Sequence, residues 1–186
     1  MDYEVRRIRS DEWRAYRELR LEALRDSPLA FVDRYEDARR RPDQYWRDRV
    51  ARNAAGRLTC TYVIARNDGR LAGMTSCFVE PEFTDYVSAH IVAVYVTPGF
   101  RGNGSATRLI EAVIAWAHDV AGADRIRLFV MEANERAEAF YRRIGFSRTG
   151  ATMAYPPDPS FTEYEMEYRR AGAVPLAAEG QSGTPR

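Results

Sequence analysis

The chain of 186 residues contains no lysine; all 28 of its basic residues are arginine. That absence excludes a P-loop nucleotide site, whose Gly-x-x-x-x-Gly-Lys-Ser/Thr pattern needs a lysine to reach the terminal phosphates. Cysteine is scarce as well. Cys60 and Cys77 lack Cys-x-x-Cys spacing and sit in apolar, strand-like surroundings, which predicts buried, reduced thiols and no disulfide framework. With only His90 and His118, a histidine-rich metal site is not expected, and no metal ligand is assigned. No apolar run approaches the ~18 residues of a membrane helix, and the opening Met1-Asp2-Tyr3-Glu4 lacks the charged-then-apolar pattern of a signal peptide. The expected address is therefore the cytoplasm. A formal charge of +1 gives no electrostatic case for a nucleic-acid or membrane-surface partner.

What is present is the composition of an ordinary folded chain, 45% hydrophobic and 12% aromatic, in a length that fits one domain. Residues 3–9 alternate as a strand, and Ser10-Asp11-Glu12 provides the N-cap of a helix to about Arg25, striped by Trp13, Tyr16, Leu19, Ala23 and Leu24. A break at 27–31 precedes a second helix over 42–51, opened by Pro42. Strands over 58–65 and 71–79 are joined by a turn carrying Asp68-Gly69, a strong hairpin signal. A strand over 85–96 leads to a helix over 105–120, followed by a strand over 125–130, a helix over 134–144, and strands over 146–155 and 161–169. The order is that of an α+β, or mixed α/β, domain over residues 1–169. From 170 to 186, Ala, Gly, Pro, Ser and Gln without periodicity predict a disordered tail.

The most informative stretch runs from Val94-Tyr95-Val96 through Thr97-Pro98-Gly99-Phe100-Arg101-Gly102-Asn103-Gly104-Ser105-Ala106-Thr107. An apolar strand, a glycine-containing loop and a helix N-terminus present unpaired amides and the positive end of a helix dipole, which together favour a phosphate. A dinucleotide fingerprint is a poor match. Thr107 stands where its third small residue belongs, and 97–100 separate the strand from the glycines. Arg101, Gly104 and Ala106 instead satisfy Arg/Gln-x-x-Gly-x-Gly/Ala. Downstream, Asn134, Ala137, Tyr141, Gly145 and Phe146 satisfy Asn-x-x-Ala-x-x-x-Tyr-x-x-x-Gly-Phe.

These two signatures, in this order, resemble those of the GNAT superfamily of acyl-CoA-dependent N-acetyltransferases. The resemblance implies a splayed, mostly antiparallel central sheet of about seven strands flanked by about four helices. It also implies acetyl-CoA as cosubstrate. The main chain of Val94, Tyr95 and Val96 would pair with the pantetheine amides, as an added edge strand would. Arg101, Gly102, Asn103, Gly104, Ser105, Ala106 and Thr107 would form the pyrophosphate cradle. Asn134 would cap its helix and bond the pantetheine region. Homodimers are common among such proteins, so a homodimer is an expectation carried by the resemblance alone.

The chemistry such a protein needs is a base and an acid. An ammonium of pKa about 10.4 is only about one part in a thousand neutral near pH 7 and must lose a proton before attacking a thioester. The departing thiolate must then gain one. Tyr141 occupies the family's acid position, its alternative being a core aromatic. For the base, two-residue alternation places His90, Val92, Val94 and Val96 on one strand face, and arylalkylamine acetyltransferases carry a histidine at the position of His90. The alternatives are a buried, hydrogen-bonded histidine and the acids Glu80, Glu82 and Asp85. Ribosomal-protein N-terminal acetyltransferases carry a glutamate where this chain has Phe129, which counts against protein N-termini as acceptors. The expected acceptor is a primary amine on a small molecule. A protein amine is the other enzymatic option, and an acyl-CoA-sensing module without turnover is the non-enzymatic one. Phe31, Tyr35, Tyr45, Trp46 and Tyr155 are candidates for an acceptor pocket or, equally, for core. Arg39-Arg40-Arg41 is a candidate attractant for an acidic acceptor or a solvated charge run.

Overall fold

Alternating apolar residues give each strand two usable faces, and both are covered here. The structure is a computed structural model and describes residues 3–83 and 85–168; the tail expected over 170–186 lies outside the described residues. Seven strands form one sheet: β1 (Tyr3–Arg7), β2 (Thr59–Arg66), β3 (Leu71–Val79), β4 (Ser88–Val96), β5 (Arg125–Met131), β6 (Phe146–Ala154) and β7 (Thr162–Tyr168). Their spatial order is β1-β2-β3-β4-β5-β7-β6. Every neighbouring pair is antiparallel except β4 and β5. The mixed α/β, mostly antiparallel fold is as the sequence predicts.

One face carries α1 (Trp13–Asp26), α2 (Tyr35–Arg40) and α3 (Asp43–Ala55). Trp13, Tyr16, Leu19, Leu24, Trp46 and Val50 pack there on Val63, Met74 and Tyr95 of the sheet. The other face carries α4 (Ser105–Asp119) and α5 (Glu135–Arg143). There Ile110, Val113, Trp116 and Tyr141 pack on Cys60, Cys77, Ile91, Ile126, Leu128 and Met166. The described residues hold five α-helices, in keeping with the expectation of about four. The extra one is α2, six residues too short and too arginine-rich to show a helical apolar stripe. The entry to α1 also differs from expectation. Its N-cap is Glu12, without a side-chain cap bond. The Glu12 carboxylate instead accepts from the Arg9 amide at 2.8 Å and from both terminal nitrogens of Arg6 at 2.6 and 2.9 Å. The charge-assisted bidentate pair with Arg6 holds that carboxylate toward β1 and away from the first turn of α1.

The feature that positions the site is a split in the sheet. β4 and β5 pair only at Ser88↔Arg125, Ala89↔Ile126 and His90↔Arg127, and beyond this point they part. A second irregularity lies within β4. Between Met74 and Ser76 of β3 the register advances by three residues on β4, from Tyr95 to Val92, and Ala93 takes φ +57. This is a β-bulge, and it moves every later side chain to the opposite face. Ile91 and Val94 consequently both pack toward α4, whereas Tyr95 packs toward α1. The expectation that His90, Val92, Val94 and Val96 share a face is corrected. His90 and Val92 pair opposite Phe78 and Ser76, and the bulge separates them from Val94 and Val96.

The closed end of the split is held by charge. Arg127 spans from Glu80, which its Nε reaches at 2.8 Å, to Glu165 on β7. Ser88 donates to Glu80 at 2.6 Å. Arg125 bridges Glu165 and Glu167 at 2.6 and 2.8 Å. Burial pushes the Glu80 and Glu165 carboxyls up, but their hydrogen bonds from Arg127, with those of Ser88 and Thr149, outweigh it and hold both below the ordinary 4.5. A depressed carboxyl stabilises the fold fully above its unfolded-state value and loses that contribution as pH falls through the folded-state value. Arg127→Met, which leaves two buried carboxylates short of their cation, is expected to cost about 3–5 kcal/mol at neutral pH. Urea titrations should show that deficit shrinking below about pH 4.5, where both carboxyls protonate and the wild type itself weakens.

Candidate active site

Where β4 and β5 part, a cavity of about 640 Å³ opens between residues 91–96 on one side and Leu128, Phe129, Val130 and Met131 on the other. The glycine loop, α5 and the segment carrying Ser27, Leu29 and Ala30 complete its walls. Of the residues singled out from sequence, Val94, Tyr95, Val96, Arg101, Gly102, Gly104, Ala106, Thr107, Asn134 and Tyr141 all line it. Asn103, Ser105 and His90 do not.

The loop earns its glycines. Gly102 and Gly104 lie at φ +81 and +84, left-handed backbone that costs other L-residues energy. Gly104 is the N-cap of α4, and a Cβ there would meet nothing within 4 Å, so conformation and not crowding selects glycine. Asn103 Oδ1 accepts from the Ser105 amide at 3.0 Å, and Ser105 Oγ donates to the Phe100 carbonyl at 2.9 Å. These two side chains therefore shape the turn, and one amide of the expected cradle is already taken. Ala106 and Thr107 supply the next amides of the first helical turn, which helix geometry leaves unpaired. Arg101 departs further from expectation. Its Nε donates to the Val96 carbonyl at 2.8 Å and its guanidinium pairs with Asp26 at the end of α1. It ties loop, strand and helix together, and it occupies one of the main-chain acceptors assigned to the pantetheine.

On the opposite wall Asn134 caps α5 as expected, its side chain accepting from the Ala137 amide at 3.1 Å. Tyr141 lies about two turns on, packed against Phe140 and Phe146 with ring centroids 5.4 and 5.7 Å away. No described residue hydrogen-bonds its hydroxyl. Burial pushes the phenol well above its ordinary 10.0, so it stays protonated. It is both a core aromatic and a proton-bearing group at the cavity wall.

His90 sits at the closed end of the split, in the last β4–β5 pair. Its ring lies 5.2 Å from that of Phe78 and 5.5 Å from that of Phe129, and Nδ1 is 3.3 Å from Glu80. Burial lowers its pKa against the pull of Glu80, which leaves it neutral. The alternative acid Glu80 is committed to Arg127 and Ser88. The aromatic candidates for an acceptor pocket went to the core: Phe31 and Trp46 are buried with α1–α3, and Tyr35 and Tyr45 pack beside them. Tyr155 is buried and donates to the Phe31 carbonyl at 2.6 Å, which holds the 27–31 segment near the cavity. In the arginine run, Arg41 pairs with Asp33 and Arg39 with Glu36. Both cysteines are buried and reduced, opposed across β2 and β3. Burial drives Cys60 up to about 12, and neither thiol reaches the cavity.

Residues 5–146 match the acetyltransferase (GNAT) family model. The chain belongs to the GNAT family. An uncharacterized N-acetyltransferase of Mycobacterium tuberculosis is 36% identical over 86 residues, 46% of this chain and 52% of that protein. A mycothiol acetyltransferase of Salinispora arenicola is 31% identical over 145 residues, 78% of this chain and 43% of that protein. The GNAT chain thus spans about half the length of these relatives. Among solved structures, a GNAT acetyltransferase from Streptococcus pneumoniae superposes with a TM-score of 0.73 at 18% identity, covering 89% of this chain and 98% of that one. Arabidopsis thaliana NAA60 in complex with acetyl-CoA superposes at 0.65 and 15% identity, over 90% and 98%. Among the described residues no helix is long and apolar enough to cross a membrane.

Leu29 and Ala30 fall in the segment from Ser27 to Arg52 that the sequence marks for acceptor specificity, whereas nothing in the sequence singles out Glu163 as a cavity residue. The glycine loop of this GNAT domain is directly testable. Gly104→Ala should cost about 1–2 kcal/mol through its left-handed backbone. Gly99→Ala, where φ is not positive and space is open, should leave the thermal unfolding midpoint unchanged.

Proposed function

We propose that the chain transfers an acetyl group from acetyl-CoA to a primary amine of a small molecule, by direct attack within a ternary complex. The observation that carries this reading is the split between β4 and β5, walled by a glycine loop and helix N-terminus at one end and by the Tyr141 phenol at the other. In this reading the unpartnered edge of β4 at Val94 and Tyr95 takes the pantetheine amides. The loop from Gly102 to Thr107 takes the diphosphate, chiefly through the Ala106 and Thr107 amides, with Arg101 bracing the turn. Acetyl-CoA supplies the activated acyl carbon. Tyr141 holds a proton where the thiolate leaves and donates it to sulfur. His90 takes no direct part, since its imidazole lies outside the cavity wall.

Two observations support direct transfer and a small acceptor. The thiols of Cys60 and Cys77 are buried, protonated and remote from the cavity, so neither is fit to carry an acyl group. The Salinispora relative is named a mycothiol acetyltransferase. The absence of lysine also means that such an enzyme cannot acetylate lysines of its own chain.

The test is CoA release, followed as free thiol, with acetyl-CoA and a panel of metabolite, polyamine and aminoglycoside-like amines and of peptides. Release that depends on a small amine is the expected outcome. Release that depends only on peptides would overturn the acceptor class, and none with any amine would overturn the enzyme reading. Tyr141→Phe should lower kcat by about 10²-fold, the contribution of a positioned acid. Acetyl-CoA affinity by calorimetry should stay within about threefold, the phenol being needed for the departing thiolate and not for binding.

A further inference from the structure

Three glutamates of β7, Glu163, Glu165 and Glu167, alternate onto one sheet face, opposite Met131, Phe129 and Arg127 of β5. Glu165 and Glu167 are consumed by Arg125 and Arg127. Glu163 is not: among the described residues it has neither an ion pair nor a hydrogen bond. Its cross-strand neighbours are both apolar, Met131 on β5 and Met153 on β6. It is half-buried, and it is the only acid among the described residues lining the cavity. The cations of that lining, Arg101, Arg136 and Arg143, belong to the glycine loop and α5.

We propose that Glu163 is the catalytic base that receives the acceptor amine and removes its proton. This rests on the acetyl-transfer reading and deepens it. Glu163 lies on the face that carries α1–α3, whereas Tyr141 packs with the core of the α4–α5 face. Base and acid thus flank the split from opposite sides of the sheet. An ammonium is drawn to the one carboxylate in the cavity, and Glu163 takes a proton from it. The freed nitrogen pair attacks the thioester carbonyl carbon. The C–S bond breaks with its electron pair going to sulfur, and Tyr141 protonates the thiolate. The new amide nitrogen sheds its remaining extra proton, which restores the phenol, and Glu163 releases its own to solvent. The amine has lost two protons, one ending on CoA sulfur and one in water.

Desolvation pushes the Glu163 carboxyl above the ordinary 4.5, and a stronger carboxylate base is better matched to an ammonium. The other titratable groups facing this end are Tyr155, whose buried phenol is raised further by the charge of Glu163, with Arg34 opposing. Glu132 accepts from the Thr162 amide at 2.9 Å.

The experiment compares wild type, Glu163→Gln and Glu163→Asp with two acceptors: an alkylamine, and a hydroxylamine-type nucleophile already neutral near pH 7. With the alkylamine, Glu163→Gln should lose about 10²-fold in kcat/KM at neutral pH. The deficit should narrow as pH approaches the amine pKa of about 10.4, where solvent deprotonates the amine instead. Glu163→Asp should restore part of the rate. With the neutral nucleophile the loss should be below about threefold, since no proton need be removed first. Thermal midpoints should match the wild type, because no described partner is lost. An equal loss with both acceptors, independent of pH, would make Glu163 a structural residue, and an unchanged rate would remove it from the reaction; either overturns the proposal. If the wild type itself turns over no amine, the acetyl-transfer reading fails, and this one with it.

Discussion

The separation of β4 from β5 is the constraint on which everything else in this molecule depends. A sheet normally pairs every interior strand, because an unpaired, shielded N–H or C=O costs as much as a lost hydrogen bond. Here the β5-facing edge of β4 runs unpaired beyond His90, while its other edge stays paired with β3. The structure meets that demand in three ways. Arg127 pins the closed end by joining Glu80 beside β4 to Glu165 on β7. The bulge at Ala93 turns β4 away and changes which side chains point where. Arg101 takes up the Val96 carbonyl from the side. What is left is a main-chain edge with pairing capacity to spare, which an amide-bearing ligand can complete as a further strand would.

Charge is distributed along that opening with a direction. The amides at the start of α4 and the arginines of α5 favour anionic groups on the α4–α5 side of the sheet. On the face that carries α1–α3 stands the half-buried carboxylate of Glu163, beside methionines. In the acetyl-transfer reading, a cationic acceptor and a polyanionic donor would meet groups of opposite charge on opposite faces of the sheet. Such sorting is cheap to maintain because the surrounding acids and arginines are already neutralised by one another.

The fold was largely legible in the sequence because its determinants are local. Alternation, hairpin chemistry at Asp68-Gly69 and the two glycine-bearing signatures each act over a few residues. The cap at Asn134 was readable for the same reason. What escaped depends on relations between distant segments. Nothing local distinguishes Glu163 from Glu165 and Glu167; only the β5–β7 register shows which acid is left without an arginine. The bulge at Ala93 has no glycine to announce it, so strict alternation gave His90 the wrong companions. The aromatics Phe31 and Trp46 were ambiguous between pocket and core, and packing of α1 and α3 decided for the core. Arg101 matched its signature, yet its partners Asp26 and Val96 come from elements the signature does not include.

Burial has opposite consequences for the two kinds of weak acid in this molecule. It raises the phenol of Tyr141 and the thiols of Cys60 and Cys77 alike, because each would have to place a negative charge in an apolar surrounding. For a thiol, whose nucleophilic form is the thiolate, the effect is disabling. In the acetyl-transfer reading, where the phenol must keep its proton until a thiolate appears beside it, the same effect keeps that proton in place. A departing sulfur in that setting is itself poorly solvated and correspondingly basic, so the proton has somewhere to go.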